Sequence, residues 1–422
     1  MRLQAGAPDR RCAWDLPTAS AYRDRMQETP RVPPLVEPGP PLTPAQVRRW
    51  SRHLLLPPVG ELGQRRLRNA RVCVVGAGGL GSPVLLYLAA AGVGRIGVVD
   101  HDAVDMTNLQ RQVLHGWQDV GRPKVESARD AVHAVDEDVD VVLHHIRLDA
   151  GNVDEVLGGY DLVIDGTDNF PTRYLVNDSC VRLGLPEVWG SVFRFDAQVS
   201  VFWGRPPDGV PAVQLRDLFP SPPPPGSVPS CAEGGVLGAL CGQVGSVMAT
   251  EAVKLVAGIG VPLLGRVLVL DAAAARWTEV PLVGDPERWR DAVRVDDAAA
   301  SSPEAGDAAA PTVPTVTPRE LERRLVARES GDEPFTLVDV REPAERRLVT
   351  IPGSTSVPLR EVLDGSGLAG VPVDVPVVLF CRSGVRSEHA GRALLAAGRD
   401  VSHLAGGVLA WVADVDPTLP TY

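Results

Sequence analysis

The sequence predicts an α/β protein: a mostly parallel sheet with helices on both faces, followed by a second, smaller α/β unit. Three observations predict it. Short β-branched runs alternate with longer helix-like segments from Ala70 to Gly190. A GxGxxG turn (Gly76, Gly78, Gly81) lies between the first such run and the next helix. Residues 285–316 then lose all periodicity, and alternation resumes at Thr317-Pro318.

Taken in order, residues 1–40 are Arg/Pro-rich without an apolar period, and disorder is expected there. Met26 is a candidate start, which the intact mass of the native protein would test. Order is expected from Thr43-Pro44, a cap followed by proline, with Val47, Trp50 and Leu54 at helical spacing. Arg71–Val75, Arg95–Asp100, Val139–Ile146, Asp161–Asp165 and Glu187–Trp189 read as strands, and Pro83–Ala91, Pro123–Ala134 and Pro171–Leu183 as helices. Strand Ala197–Trp203, a helix near Val236–Val256 and a pair of strands (Val267–Asp271, Arg276–Val280) complete a domain over 41–284. A flexible linker over 285–316 and a domain over 317–422 come after it.

The bulk numbers bound the function. A chain of 422 residues suggests two or three domains, and 44% hydrophobic residues suffice for packed cores. A net charge of −11 argues against a general nucleic-acid or membrane-surface binder. No stretch reads as membrane-spanning, and Met1 to Gln27 lacks the apolar core of a signal peptide. The six cysteines (Cys12, Cys73, Cys180, Cys231, Cys241, Cys381) include no CxxC pair, which points to a reducing cytoplasm.

Glycines at 76, 78 and 81 let a backbone approach phosphates, and the adjoining helix offers free N–H groups. Asp100 ends the next strand, where a carboxylate can bond a ribose hydroxyl. This much fits NAD as well as ATP. Three residues further along the chain favour ATP: Arg111 and Lys124 supply fixed cations, and Asp168, just past a strand, can hold Mg²⁺. Read alone, Arg52 is also a surface helix charge and Asp168 also a cap for the helix at Pro171.

RWSRH (Arg49–His53), GAGGLGSP, the D-x-D-x-V-x-x-TNLQRQ stretch, Lys124 and DGTDN together resemble the ThiF/MoeB superfamily of adenylating enzymes, over about 41–284. The resemblance implies a Rossmann-like domain that binds ATP and Mg²⁺ through Gly76, Gly78, Gly79, Gly81, Asp100, Thr107, Asn108, Leu109, Gln110, Arg111, Lys124, Asp168 and Asn169. It implies a homodimer in which Arg52 reaches the partner's phosphates, and attack of a C-terminal Gly-Gly carboxylate on the α-phosphate.

Two cysteines bear on sulfur. Cys231 follows a proline run (Pro222–Pro225) and precedes glycines, as in a crossover loop. In the resembled family a cysteine here attacks or exchanges with the acyl-adenylate. An incidental loop thiol is the plain alternative. Cys381 follows strand-like Val375–Phe380 and opens CRSGVRS before a helix from about Ser387. A thiol with pKa of about 8.5 is a poor nucleophile at neutral pH. A helix N-terminus, Arg382, Arg386 and the N–H groups of Ser383, Gly384 and Val385 would stabilise its anion. Cys73, Cys180 and Cys241 read as core thiols.

LVDVRE (Leu337–Glu342), IPGSTSVPL, CRSGVRS and GGVLAW (Gly406–Trp411) resemble a rhodanese domain over about 317–422, which implies a persulfide on Cys381. Thr350 departs from the histidine often found before IPG in that family. The two halves together are similar to MoeZ-type fusions. Adenylation makes an electrophile, the persulfide is the nucleophile, and a linker raises their effective concentration. Relatives of the first half often hold zinc through two CxxC pairs. Here Gln214-Leu215-Arg216-Asp217 stands at the first and nothing matches the second, so no zinc is expected.

The resemblance implies ubiquitin-like sulfur carriers as partners: the small molybdopterin-synthase subunit, a thiamine or cysteine-biosynthesis carrier, or one of specialised metabolism. Thiosulfate or a cysteine desulfurase is the expected sulfur donor. An NAD-dependent oxidoreductase fused to a sulfur carrier is the alternative, though no acid–base pair for hydride transfer is evident. A scaffold with a decayed site is a third, opposed by the retained Cys381 loop.

Overall fold

The computed structural model describes residues 32–223, 234–285 and 312–421, except positions 368, 370 and 372. The chain divides into two compact units, one containing residues 32–222 and 236–285, the other 312–421.

In the first unit the elements run α1 (Pro44–Arg49), α2 (Ser51–Leu54), α3 (Gly60–Asn69), β1 (Arg71–Val75), α4 (Gly81–Ala91), β2 (Arg95–Val99), α5 (Lys124–Val135), β3 (Asp140–His144), α6 (Val153–Leu157), β4 (Leu162–Asp165), α7 (Phe170–Leu183), β5 (Glu187–Phe193), β6 (Asp196–Phe202), α8 (Leu215–Leu218), α9 (Gly238–Ala257), β7 (Arg266–Asp271) and β8 (Arg276–Pro281). One eight-stranded sheet has the order β3-β2-β1-β4-β5-β6-β7-β8. Its first five strands are parallel, and β6 to β8 are antiparallel. The alternation of β1 explains the two layers. Val72 and Val74 face the apolar cluster that holds Leu85, Leu88 and Met248 of α4 and α9. Cys73 and Val75 face the cluster of Val153, Val176 and Cys180. From β1 the chain crosses to β2 on one side and later to β4 on the other. The ends of β1 and β4 therefore border a switch point, where open α/β sheets bind ligands.

Packing begins earlier than the sequence suggests. Val32 and Val36 are buried, and the N–H of Leu35 donates to the carbonyl of Leu255 at 3.2 Å. A short apolar stretch without a period still packs when α9 offers it a groove. The expected helix through Val47, Trp50 and Leu54 is broken at Trp50 (φ −99°, ψ 19°), whose ring is buried against Gly92. Thr43 caps α1 with a full capping box. Residues 1–31, which contain Met26, and most of the expected linker lie outside the described residues.

The second unit runs β9 (Thr315–Val316), α10 (Pro318–Ser330), β10 (Thr336–Asp339), α11 (Pro343–Leu348), β11 (Ser354–Ser356), α12 (Leu359–Leu363), β12 (Val377–Phe380), α13 (Val385–Ala396), β13 (Val401–Leu404) and α14 (Gly407–Asp414). Its sheet is parallel throughout, in the order β11-β10-β12-β13-β9. Thr317 caps α10 as its sequence predicts, and two apolar clusters cover the two faces of the sheet. No helix of the described residues is long and apolar enough to cross a membrane.

Candidate functional site

The glycine turn leaves β1 with Gly76 at φ +93°, and the N–H of Gly76 donates to Val99 at 2.8 Å. A Cβ on Gly81 would stand 1.8 Å from the carbonyl oxygen of Gly76, so only glycine closes this turn. Gly79 lies against Cys241 of α9 and the Arg111 side chain, and Gly78 faces Gln112. On the β4 side, Gly166 packs against Gly76 and Gly81.

Asp100 serves the loop itself. One carboxylate oxygen accepts from the N–H of Ala77 at 2.9 Å and the other from the N–H of Asp102 at 2.9 Å. Each oxygen keeps a lone pair for a hydroxyl. Lys124, at the start of α5, is buried and donates to Asp102 Oδ2 at 2.8 Å. Burial pushes the Asp102 carboxyl up, but the bond and charge of Lys124 outweigh it and hold the group below its usual range. Asp100, His101 and Asp102 crowd their donor atoms together, with the Lys124 ammonium bonded to Asp102.

The TNLQR stretch forms a compact cap. Thr107 donates to Asp105 through its N–H and its hydroxyl, at 2.8 and 2.6 Å, and Asn108 Oδ1 accepts from Asp105 N–H at 3.1 Å. Arg111 donates to the Thr107 carbonyl at 3.0 Å. Leu109 ends this turn, and Gln110 presents its carbonyl to Gly238 at the start of α9, where a Cβ would meet it at 2.2 Å. Beyond β4, Asp168 is exposed and makes no hydrogen bond or ion pair among the described residues. An unpartnered carboxylate at the switch point suits an oxygen-ligated Mg²⁺. Asn169 proves to be the cap of α7, accepting from Thr172 N–H at 3.0 Å. Arg52 is exposed on α2 and has no ion pair among the described residues.

The sequence alone does not single out Asp102, His115 or Arg173. His115 bridges the loop and α5: its Nε2 lies 2.9 Å from the Ala77 carbonyl and its Nδ1 2.8 Å from Ser127 Oγ. Burial lowers its pKa, so the neutral ring donates through Nε2 and accepts at Nδ1. The D-x-D spacing carries a signal for Asp102; a single histidine between an apolar run and a loop carries none.

Where relatives are expected to hold zinc, polar contacts close the structure. Arg216 donates twice to Asp178, at 2.9 and 2.6 Å, and the N–H of Leu215 donates to Asn177 at 2.8 Å. Asp217 Oδ1 accepts from the N–H of Asp285 at 2.9 Å.

In the second unit Cys381 follows β12 and is fully buried. The N–H of Gly384 points at its Sγ from 3.1 Å, and Ser387 Oγ lies 3.6 Å away. Gly384, at φ +103°, turns the chain into α13, which begins two residues earlier than expected. Arg386 is buried and pairs bidentately with Glu345, 2.7 Å in both bonds, so its charge is shared with a carboxylate and not given to the thiol alone. Arg382 is half-buried, and Ser383 and Val385 are exposed. The GGVLAW motif supports the loop from behind. Val408 N–H donates to the Cys381 carbonyl at 2.8 Å and Leu409 N–H to that of Arg382 at 3.1 Å. A Cβ on Gly407 would collide with both carbonyls. In the LVDVRE motif, Arg341 and Asp339 form a wholly buried pair at 2.7 Å. Cys73, Cys180 and Cys241 are buried, and burial pushes the Cys73 and Cys180 thiols up, away from reactivity. Cys231 lies outside the described residues.

Comparison with known proteins gives each unit a family. Residues 50–288 match the ThiF family and residues 317–414 the Rhodanese-like domain. The chain is 51% identical over 393 residues to the probable adenylyltransferase/sulfurtransferase MoeZ of Mycobacterium tuberculosis, covering 93% of this chain and 99% of that protein. It is 38% identical over 407 residues to the adenylyltransferase and sulfurtransferase MOCS3-1 of Zea mays, covering 89% and 83%. It is 49% identical over 259 residues to the sulfur carrier protein adenylyltransferase of Thermus thermophilus, covering 60% and 96%. Among solved structures, MccB of E. coli has a TM-score of 0.50 at 21% identity, over 56% of this chain and 70% of that one, a likeness of fold alone.

Proposed function

This chain belongs to the ThiF family, joined to a rhodanese-like domain, and from that premise we propose that it adenylates the C-terminal Gly-Gly of a ubiquitin-like sulfur carrier and converts it to a thiocarboxylate. The observation that carries the reading is the meeting of the glycine turn with Asp100, Arg111, Lys124 and the Gly166–Asp168 segment at one switch point. The relatives named adenylyltransferase and sulfurtransferase support it.

ATP lies over Gly76–Gly81, with its ribose at Asp100 and its phosphates toward Arg111 and Lys124. Mg²⁺ held at Asp168 would neutralise phosphate charge. The carrier's carboxylate oxygen bonds to the α-phosphorus, and pyrophosphate leaves with the electrons of the broken P–O bond. Arg111, Lys124 and the Arg52 of a second copy stabilise the developing charge. In the second step the terminal sulfur of a Cys381 persulfide bonds to the acyl carbon and AMP leaves. The Cys231 thiolate then attacks the Cys381 sulfur, which frees the thiocarboxylate and leaves a disulfide for a cellular thiol to reduce. The donor would be thiosulfate or a desulfurase-borne persulfide, each of which carries sulfur at the oxidation level that a Cys381 persulfide needs.

The test is intact mass spectrometry of a Gly-Gly-ending carrier after incubation with the protein, Mg-ATP and thiosulfate, beside a Cys381→Ala control. Replacement of one oxygen by sulfur, lost in the control, is the expected result. Carrier of unchanged mass, with no pyrophosphate released for any candidate, would sink the proposal.

A further inference from the structure

Arg173 stands where general physical chemistry disfavours it twice. It is in the first turn of α7, where the helix dipole opposes a cation. It is also only 7% exposed, so its charge has largely left water. Three sets of contacts hold it there. Its Nε and Nη2 both donate to the carbonyl of Thr167, at 3.3 and 2.9 Å. The rings of Phe170 and Trp189 flank its guanidinium at 5.5 and 5.6 Å. The buried carboxyls of Asp165 and Glu187 are its electrostatic neighbours.

The carbonyl it grips belongs to the residue before Asp168. The N–H of Thr167 is also taken, by Asp165 Oδ1 at 2.9 Å. Both hydrogen-bonding groups of the Thr167 backbone are thus anchored in the core, and the planar peptide passes that restraint to the backbone of Asp168. On the other side, Asn169 is locked as the helix cap. Asp168 is the one residue between these anchors, and its own carboxylate is exposed and unpartnered among the described residues. We propose that Arg173 is a positioning residue: by clasping the Thr167 carbonyl with a planar fork, it aims the Asp168 carboxylate at the metal of the bound nucleotide. The proposal rests on the reading of Asp168 given above. A lysine would keep the charge and lose the fork.

The test uses the full chain as wild type, Arg173→Gln, Arg173→Lys, Asp168→Asn and the Arg173→Gln/Asp168→Asn double variant. Calorimetry measures the affinity for ATP with Mg²⁺ and with EDTA, without turnover. Arg173→Gln is expected to weaken Mg-ATP about tenfold, as loss of a ligand's support does. Metal-free ATP should bind as before, and the double variant should bind Mg-ATP no worse than Asp168→Asn alone. Arg173→Lys keeps a cation beside the two carboxyls and carries the same comparison if the glutamine variant does not fold. Equal weakening with and without Mg²⁺, or losses that add to those of Asp168→Asn, would overturn the proposal and leave Arg173 a structural cation. Normal Mg-ATP binding by both Arg173 variants, with Asp168→Asn impaired, would overturn it alone. An unimpaired Asp168→Asn would remove both the proposal and the metal reading beneath it.

Discussion

Gly81 carries more of the turn after β1 than its lack of a side chain suggests. With 1.8 Å between a built Cβ and the Gly76 oxygen, Gly81→Ala must push the turn out of place. The variant should lose about 3 kcal/mol in urea unfolding, in the manner of an overpacked core, and its ATP affinity with it. Wild-type stability and affinity together would refute this. Glu187 makes a second prediction, through protons. Desolvation holds its carboxyl well above the ordinary value of 4.5, against the pull of Arg173. Below that value the group is protonated in folded and unfolded chains alike and contributes nothing. As pH rises past it, the unfolded chain gains by ionising and the native protein loses stability until the folded carboxyl ionises too. Glu187→Gln lacks this loss, so its stability relative to wild type should climb between pH 4.5 and neutrality; parallel unfolding curves at acid and neutral pH would contradict it. Glycines 76 and 81 are legible in the sequence because a motif names the geometry they serve. Arg173 is not, since its partner is a backbone carbonyl and carbonyls leave no trace in a sequence.

Among the elements, strand cores are legible almost to the residue, as with Arg71–Val75, because β-branched runs between loop residues admit few alternatives. The expected strand Glu187–Trp189 is too short: β5 runs on to Phe193 in a hairpin with β6, held by antiparallel pairing that a polar Gly-Ser step conceals. Cap residues are legible where proline comes next, at Thr43 and Thr317. At Asn169 two adjacent capping residues compete, and only the N–H of Thr172 decides between them. In the first unit α3 and α6 have no expected counterpart, and neither has α8. Arg216 of α8 forks onto Asp178 of α7 and lies 4.9 Å over Tyr174. Arg216→Ala should destabilise the protein by about 1 kcal/mol in chemical denaturation, the upper range for a well-formed, partly exposed pair. Chelators should leave the unfolding temperature of wild type where it is. Stoichiometric zinc in the purified protein, or a chelator-induced drop, would show that a metal and not this pair closes the segment.

At the scale of the molecule, each unit has its own sheet and its own buried clusters. The fusion is legible because composition changes sharply at the linker and both flanking motif sets are dense. Separate cores predict separable chemistry: Cys381→Ala should retain ATP–pyrophosphate exchange within about twofold of wild type, since a change inside one core leaves the packing of the other as it was. A large loss of exchange would mean that the sulfur site supports adenylation. One feature of that site sets a rule of admission. The Cys381 sulfur is wholly covered, with Gly384 and Ser387 over it and Gly406-Gly407 behind. On the proposed reading, each sulfur atom it would accept or hand on waits for its loop to part. Bulky alkylating reagents and oxidants would find the thiol shut away while the loop stays closed, so the pace of its chemical damage would be set by that parting.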